Sequence, residues 1–500
     1  MFMARSDATK ERASEHLSAA TSHLRGNRPL EAFQSADRAL AIDAESSLGW
    51  LLLGTALEAL GERANAVMAL ERSVALDPRQ PAVLARLGRL HDAMDRPLLA
   101  ERCWLDALAF DPDDAASHLE LSALYGRAAQ FELGREHALR ALALNPNLLG
   151  AHQNLAGIHA KLGNADEAKR HRDLAYRDHN LISVTTSRPL RRVLILASAE
   201  WGNTPDRYLL PLDRYDRHIW FVEYATREQV PPWHDVVFNA IGDPDATGPT
   251  AAHVELFVGA CERPVLNPPA RIARTARDLA SSLFAGIDHL VMPKTIRIGE
   301  DVEAKALAGP LLLRPIGSHG GEGLKLLADV AAVGAAVGAA FILGREHYVT
   351  EFRDFRSHDG HYRKYRMFFV DREPYPYHLA IGDDWLVHYD KSGTANHPAR
   401  LDEERRYLEN PEAVLGAAAM GALRAMGRRL DLDFCGVDFS LLPDGRVLLF
   451  EANATMLVHP EAPEGPLAHK NVHVERILKA FWALLECGHA AKSRGVAVFR

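Results

Sequence analysis

Near its C-terminal end the chain reads 431-DLDFCGVDFSLLPDGRVLLFEANATM-456. Two apolar runs, CGVDFSLL and RVLLFEANA, are joined by Pro443-Asp444-Gly445, a turn between strands of alternating pattern. Period-2 spacing sets Val437, Phe439 and Leu441 on one face and Asp438 on the other, and keeps Glu451 and Asn453 together at the end of the second strand. Closing the hairpin brings two carboxylates and an amide into one all-oxygen group. Magnesium prefers hard oxygen ligands with room left for water and phosphate. The alternative is a charged, solvated face on an edge hairpin. Against it, Glu451 and Asn453 continue an apolar strand, where an acid is costly unless paired or metal-bound.

A second stretch with chemical content is 309-GPLLLRPIGSHGGEGLKLL-327, five glycines, a serine and a histidine between two short apolar runs. A phosphate loop of the NTPase kind ends in GK[ST] and opens a helix; here Gly323 is followed by LKLL, with no hydroxyl for magnesium. The GxGxxG spacing of a dinucleotide site is absent too. With LLLRP before and LKLLADV after, the stretch reads as a strand–loop–strand flap whose amides, Gly317 to Gly323, close over phosphates from above. A bare glycine-rich hairpin is the other reading of this stretch taken alone.

The elements that must position these residues begin after residue 185. RRVLILAS (191–198), HIWFVEYA (218–225) and HDVVFNAI (234–241) are short runs rich in β-branched and aromatic residues, separated by turn and helix material, which reads as an α/β unit. HNLISVTTSRP (179–189) reads as the linker before it. AAVGAAVGAA (331–340) reads as a structural helix whose glycines cost about 1 kcal/mol each relative to alanine.

Before the linker the texture is periodic. Pro78, Pro112 and Pro146 stand 34 residues apart, and so do Ala41, Ala75, Ala109 and Ala143. Ala32, Ala66, Ala100, Gly134 and Ala168 hold a small position where two helices would cross, because a larger side chain would force the backbones apart. With Trp50, Leu53 and Gly54 in one unit and Leu84, Leu87 and Gly88 in the next, the region resembles the tetratricopeptide repeat. Five units fit between about residue 13 and residue 180. The resemblance implies an all-α solenoid with a groove for a peptide or partner protein. His118, His152 and His159 could line it, though single histidines on helices are more often solvated or packed.

From about 190 to 490 the glycine flap and the Asp438…Glu451-x-Asn453 hairpin, in that order and separation, resemble the ATP-grasp fold. The resemblance implies an α/β subdomain over 191–270, a second over 271–345 carrying the flap, and a third over 346–490 carrying the metal hairpin, after a solenoid over 10–180 and a linker over 181–190. By position, Asp438, Glu451 and Asn453 would hold Mg2+ against the phosphates of ATP. Gly317, Ser318, His319, Gly320, Gly321 and Gly323 would cover those phosphates. Glu351 and Phe352, in 348-YVTEFRDF-355, would offer backbone groups to the adenine, with Asp354 near the ribose. The family's lysine before the flap is Arg314 here, which keeps the charge but offers a fork rather than a point. Arg277 and Lys294 are candidates for a second cation. Ligase members of the family carry Asp-x-Arg where this chain has Lys364-Tyr365-Arg366, so the arginine is kept, the acid is lost, and Arg366 with Lys364 are the catalytic candidates. A solvated edge strand is the plainer account of that segment. Trp385, His388 and Lys391 precede a polar loop that could close on substrate, and Asn203 and Thr204 follow the first strand of the α/β unit, where a crevice opens.

ATP-grasp ligases phosphorylate a carboxylate and let an amine attack the acyl phosphate, so the expected activity is ATP- and magnesium-dependent carboxylate–amine ligation, with small-molecule or peptide substrates. Phosphorylation of a hydroxyl by the same fold, or a repeat scaffold with a silent second domain, are the alternatives. Bulk composition adds exclusions. Over 500 residues, 47% hydrophobic and 25% charged with net charge −8, nothing calls for nucleic acid or an anionic membrane as a partner. Cys103, Cys261, Cys435 and Cys487 are far apart and form no CxxC pair, which argues against both a disulfide framework and a zinc site and suits a reducing cytoplasm. The N-terminal MFMARSDATKERASEH lacks the apolar stretch of a secretory signal.

Overall fold

The computed structural model describes residues 2–487 apart from 227, 299–306, 319, 322, 342–345 and 390–391. The chain divides into two compact units, Met1–Asp178 and His179–Arg500.

The first unit is ten helices in five consecutive pairs: α1 (Phe2–Arg25) with α2 (Pro29–Ile42), α3 (Ser47–Ala59) with α4 (Arg63–Leu76), α5 (Pro81–Ala93) with α6 (Pro97–Phe110), α7 (Ala115–Arg127) with α8 (Phe131–Leu144), and α9 (Leu149–Lys161) with α10 (Ala165–Tyr176). Pro78, Pro112 and Pro146 each come two residues after a helix ends, where a ring that cannot continue the helix is tolerated. Ala32, Ala66, Ala100 and Ala168 are almost wholly buried, as are Ala39, Ser73, Ala107 and Ala141, each seven residues, about two helix turns, after a crossing position. Gly88 shows why the crossing positions are small. A Cβ there would meet the indole of the buried Trp104 closer than carbon atoms come, while that indole donates to the Ala85 carbonyl at 3.2 Å.

Among its described residues the second unit holds three sheets. β1 (Leu181–Val184), β2 (Arg191–Ala197), β3 (Tyr215–Phe221), β4 (Val236–Asn239) and, after α11 (Pro244–Ala260), β5 (Val265–Leu266) form a sheet ordered β1-β3-β2-β4-β5. All its neighbours run parallel except β1. Residues 181–184, expected as linker, are therefore an edge strand, pinned by the Ser183 hydroxyl against His218 Nδ1 at 2.8 Å. After α12 (Pro269–Ala273) and α13 (Arg277–Leu283) come β6 (Leu290–Val291), β7 (Thr295–Ile298), β8 (Leu311–Pro315), β9 (Lys325–Leu327), α14 (Val330–Phe341) and β10 (His347–Glu351). The second sheet is ordered β7-β10-β8-β9, and β8 and β9 pair antiparallel around the glycine loop, the strand–loop–strand arrangement read from sequence.

The third sheet is built from β11 (Tyr362–Val370), β12 (Glu373–Gly382), β13 (Phe434–Leu441) and β14 (Val447–Asn453), with α15 (Pro398–Glu409), α16 (Pro411–Leu415) and α17 (Ala417–Leu430) inserted before β13 and α18 (Asn471–Cys487) closing the described chain. Its order is β12-β11-β13-β14-β6. One face packs Tyr365, Met367, Phe369, Val437 and Phe439 against α15–α17 in a core. Strand alternation puts the even-numbered residues of β11 on the other face. There Phe368 and Val370 pack with Phe434 and Phe481 of α18, while Arg366 and Lys364, further back along the strand, line a cavity. One face thus changes from core to polar site within a single strand.

Candidate functional site

Register assembles the site. His378 on β12 lies opposite Arg366 on β11, Arg366 opposite Asp438 on β13, and Asp438 opposite Glu451 on β14. Cross-strand partners share a face, so four polar side chains form one row across the sheet. Arg366 grips Asp438 with two bonds, Nε to Oδ1 at 2.6 Å and NH2 to Oδ2 at 2.9 Å, and Lys364 Nζ lies 3.3 Å from Oδ2. Glu451 Oε2 is in close contact with Arg277 NH2 and lies 3.7 Å from Arg314 NH1. Asp438 is only 2% exposed. Burial alone would raise its pKa, but Arg366 and Lys364 overcome that and hold the carboxyl well below the usual carboxylate range. Glu451 follows the same logic, with Arg277 and Arg314 outweighing burial and the neighbouring Asp438. Both carboxylates are ionised at neutral pH.

The row forms part of the wall of a cavity of about 440 Å³. Met292, Leu312, Phe352, Trp385 and Leu448 line an apolar part of it. Phe352 and Trp385 meet edge to face at 5.7 Å. Among the described lining residues six are cationic, Arg277, Arg314, Arg353, Lys364, Arg366 and Lys470, and four are acidic, Glu351, Asp438, Glu451 and Glu461. These described residues carry an excess of two positive charges.

Arg314 ties the glycine loop to this floor: its Nε donates to Ser318 Oγ at 3.2 Å and its NH2 to the Ser318 carbonyl at 2.5 Å. Burial and the neighbouring Arg277 lower its pKa to about 10, so it stays charged at neutral pH. Gly320 and Gly321 line the main cavity, and Gly317 and Ser318 line a small adjoining one with Arg314, Glu451 and Asn453. Gly321 has φ +77, a conformation that favours glycine, and a Cβ there would displace the His388 imidazole. Gly317, Gly320 and Gly323 share the positive φ.

Other sequence candidates fall differently. Arg277 lines the cavity, whereas Lys294 is exposed, is absent from the lining, and uses its carbonyl to accept from the Glu351 amide at 3.0 Å. The Phe352 amide donates to the Pro310 carbonyl at 2.9 Å, so the amides of both expected hinge residues are already committed within the sheet region. Asp354 is exposed and outside the cavity, its carboxylate accepting from the Arg356 amide in a local turn. Asn453 Oδ1 accepts from the Thr455 amide and hydroxyl at 3.0 and 3.1 Å. Trp385 and His388 line the cavity, and His319 and Lys391 fall outside the described residues. Asn203 and Thr204 are occupied by main chain, at Ser198 and at the Ala454 carbonyl respectively, which makes their loop a packed connection.

Sequence reasoning missed one end of the cavity. Lys470 is 1% exposed, pairs with Glu461, and sits 4.3 Å over the Tyr389 ring and 5.0 Å over Tyr377. His378 stacks on Tyr389 at 4.4 Å, and its Nε2 is buried without a hydrogen-bond partner among the described residues. Burial, with Arg366 and Lys470 nearby, pushes its pKa down, so the ring is neutral. Tyr389 donates to the fully buried Glu404, which also accepts from the Leu379 amide and pairs with His469 Nε2 at 3.1 Å. Residues 457–470 follow β14 without regular spacing, and only the buried lysine marks them.

In the solenoid, His118 and His152 do not stand alone. Their Nδ1 atoms lie 2.9 Å from the Nδ1 atoms of His137 and His171.

The tetratricopeptide repeat family matches residues 47–90. Among solved structures, MamA from Desulfovibrio magneticus RS-1 is 22% identical, over 34% of this chain and 97% of its own, with a TM-score of 0.32. YrrB, described as a TPR protein with an unusual peptide-binding site, is 16% identical over 36% and 92%, with a TM-score of 0.32. PilW, a type IV pilus biogenesis factor, is 21% identical over 33% and 76%, with a TM-score of 0.30. No curated protein matches the chain. The family match and the ten paired helices make the N-terminal region a tetratricopeptide solenoid, followed by a mixed α/β region.

Proposed function

We propose that the second unit is an ATP-grasp ligase that joins a carboxylate to an amine through an acyl phosphate, and that the solenoid recruits a peptide or protein. The observation that carries this reading is the row His378–Arg366–Asp438–Glu451 in a cavity with an apolar part and a cationic excess. ATP carries about four negative charges and one magnesium ion cancels two, so the bound pair matches an excess of two positive charges. Asp438 and Glu451 are adjacent hard-oxygen donors that would hold magnesium through lone pairs not taken by Arg366, Lys364 and Arg277, with water and phosphate completing its shell. Bound there, the ion would neutralise phosphate charge. Arg277 and Arg314 would hold the phosphate chain from the flap side, and the apolar surface around Phe352 and Trp385 would take the base.

Arg366 and Lys364 would face the transferring phosphoryl group, where catalysis is mainly positioning and charge neutralisation. The missed end of the cavity supplies an acceptor site. Lys470 would draw in a carboxylate, and Glu461 would orient an ammonium or accept its proton as the amine attacks. Tyr389, held by Glu404, and neutral His378 would shape that end. The solenoid supports recruitment because stacked helix pairs present an extended concave surface.

The test is ADP release from ATP and magnesium, screened over pairs of carboxylates and amines, with hydroxylamine added to trap an acyl phosphate. Release that needs a carboxylate, with a hydroxamate formed in the trap, is the expected result. A stable phosphorylated alcohol would replace ligation by a kinase reaction, and no ADP release with any pair while ATP binds would count against both.

A further inference from the structure

The fourth and fifth repeats can be compared position by position, because 34 residues separate equivalent sites. His118, Tyr125, Leu133 and His137 in the fourth correspond to His152, His159, Glu167 and His171 in the fifth. The common part is a histidine pair: Nδ1 to Nδ1 is 2.9 Å in both, and ring centroids are 5.1 Å apart in both. The packing position is also common, since Tyr125 lies 5.5 Å from His137 and His159 lies 5.7 Å from His171. What changes is the chemistry. The fifth repeat replaces a tyrosine by an imidazole and a leucine by a carboxylate, and both changes face His171.

One ligand atom from each of His159, Glu167 and His171 lies within 4.8 Å of the other two. Glu167 and His171 sit one turn apart on α10, with Oε2 3.9 Å from Nε2, while His159 comes from α9 and stacks on His171 at 4°. His159 and His171 are buried, and Glu167 is exposed. Arg170 bridges Glu167 Oε2 at 2.8 Å and approaches His171 Nε2 at 3.4 Å. Its side chain is 59% exposed, so it can swing into solvent.

We infer that the fifth repeat binds a divalent metal ion of the zinc class through His159, Glu167 and His171. Two imidazoles and a carboxylate are a donor set of borderline softness that zinc takes readily, with a water at the fourth position beside exposed Glu167. His152 is the positioning residue. As acceptor of the His171 Nδ1–H it fixes the tautomer in which Nε2 presents a lone pair to the ion. The fourth repeat keeps that histidine pair without the two further ligands and serves as an internal control.

The test uses the untagged full chain, titrated with Zn2+ by calorimetry and with Co2+ by visible absorption. His159→Tyr and Glu167→Leu install the residues that the fourth repeat carries at the same positions, so the helices keep a packing the chain already tolerates, and far-ultraviolet circular dichroism checks this. One equivalent of metal is expected in the wild type, weakened at least about tenfold in each variant and unchanged in His118→Ala. No stoichiometric binding overturns the inference. So does an equivalent that survives both substitutions, and loss of that equivalent on Asp438→Asn would assign it to the carboxylate row instead.

Discussion

Replacing Asp438 by alanine would leave Arg366 and Lys364 side by side without the carboxylate that both contact, the arginine by two bonds of 2.6 and 2.9 Å. The arginine and lysine side chains are only 19% and 17% exposed, so water in the cavity replaces the carboxylate only in part. Removing one partner of such a buried pair costs about 3–5 kcal/mol, on the order of 10 °C in melting temperature for a unit of this size. Arg366→Met should cost somewhat less, because Asp438 loses its two strongest bonds but keeps Lys364. The double variant removes Asp438 and Arg366 together and leaves only Lys364 without its partner, so its loss should fall short of the sum by about 2 kcal/mol or more. Scanning calorimetry and urea denaturation of the four proteins would measure the cycle. Single losses below about 1 kcal/mol, or additivity within about 0.5 kcal/mol, would refute the reasoning that this row is a locked, desolvated charge network.

Titration gives a second check with a fixed sign. The Asp438 pKa is lower folded than unfolded, so its contribution is present above the unfolded value near 3.9 and fades as pH falls through the folded value. Urea midpoints of wild type and Asp438→Asn should differ at pH 7, and the difference should hold down to the unfolded value near 3.9 and shrink only as pH falls further toward the folded one. Two glycine substitutions in the solenoid should have opposite signs. Gly88→Ala drives a methyl into Trp104 and should cost about 1–3 kcal/mol, while Gly157→Ala, with nothing within 4 Å, should gain about 0.5–1 kcal/mol. If Lys470 holds the acceptor, Lys470→Met should raise the carboxylate concentration needed for ADP release while leaving the ATP Kd within about twofold; equal losses in both would remove Lys470 from that role.

Much of this site could be read before folding because hairpins are local. The pairing of Asp438 with Glu451 needs only a turn at Pro443-Asp444-Gly445 and alternation along two strands, and the 34-residue period needs only counting. The capture of Asp438 by Arg366 depends on the β11–β13 register across 72 residues, which no local pattern carries. Lys294 and Asp354 are suggested by position along the chain alone; both are exposed and outside the cavity lining, and Asp354 closes a local turn. Lys470 and Glu461 lie in irregular chain, where spacing conveys nothing and only burial reveals the pair. The histidine pairs were legible in principle, since 118 and 152, like 137 and 171, are one period apart; reading each histidine singly hid the pairing across neighbouring helices.

The claim that the carboxylate row serves a nucleotide is tested most directly by calorimetric titration of the full chain with ATP, with and without magnesium, in wild type and in Asp438→Asn, with folding of the variant verified in parallel. The account predicts binding that requires magnesium in the wild type and loses that requirement or fails in the variant. Absence of ATP binding to the folded wild type under either condition would contradict it.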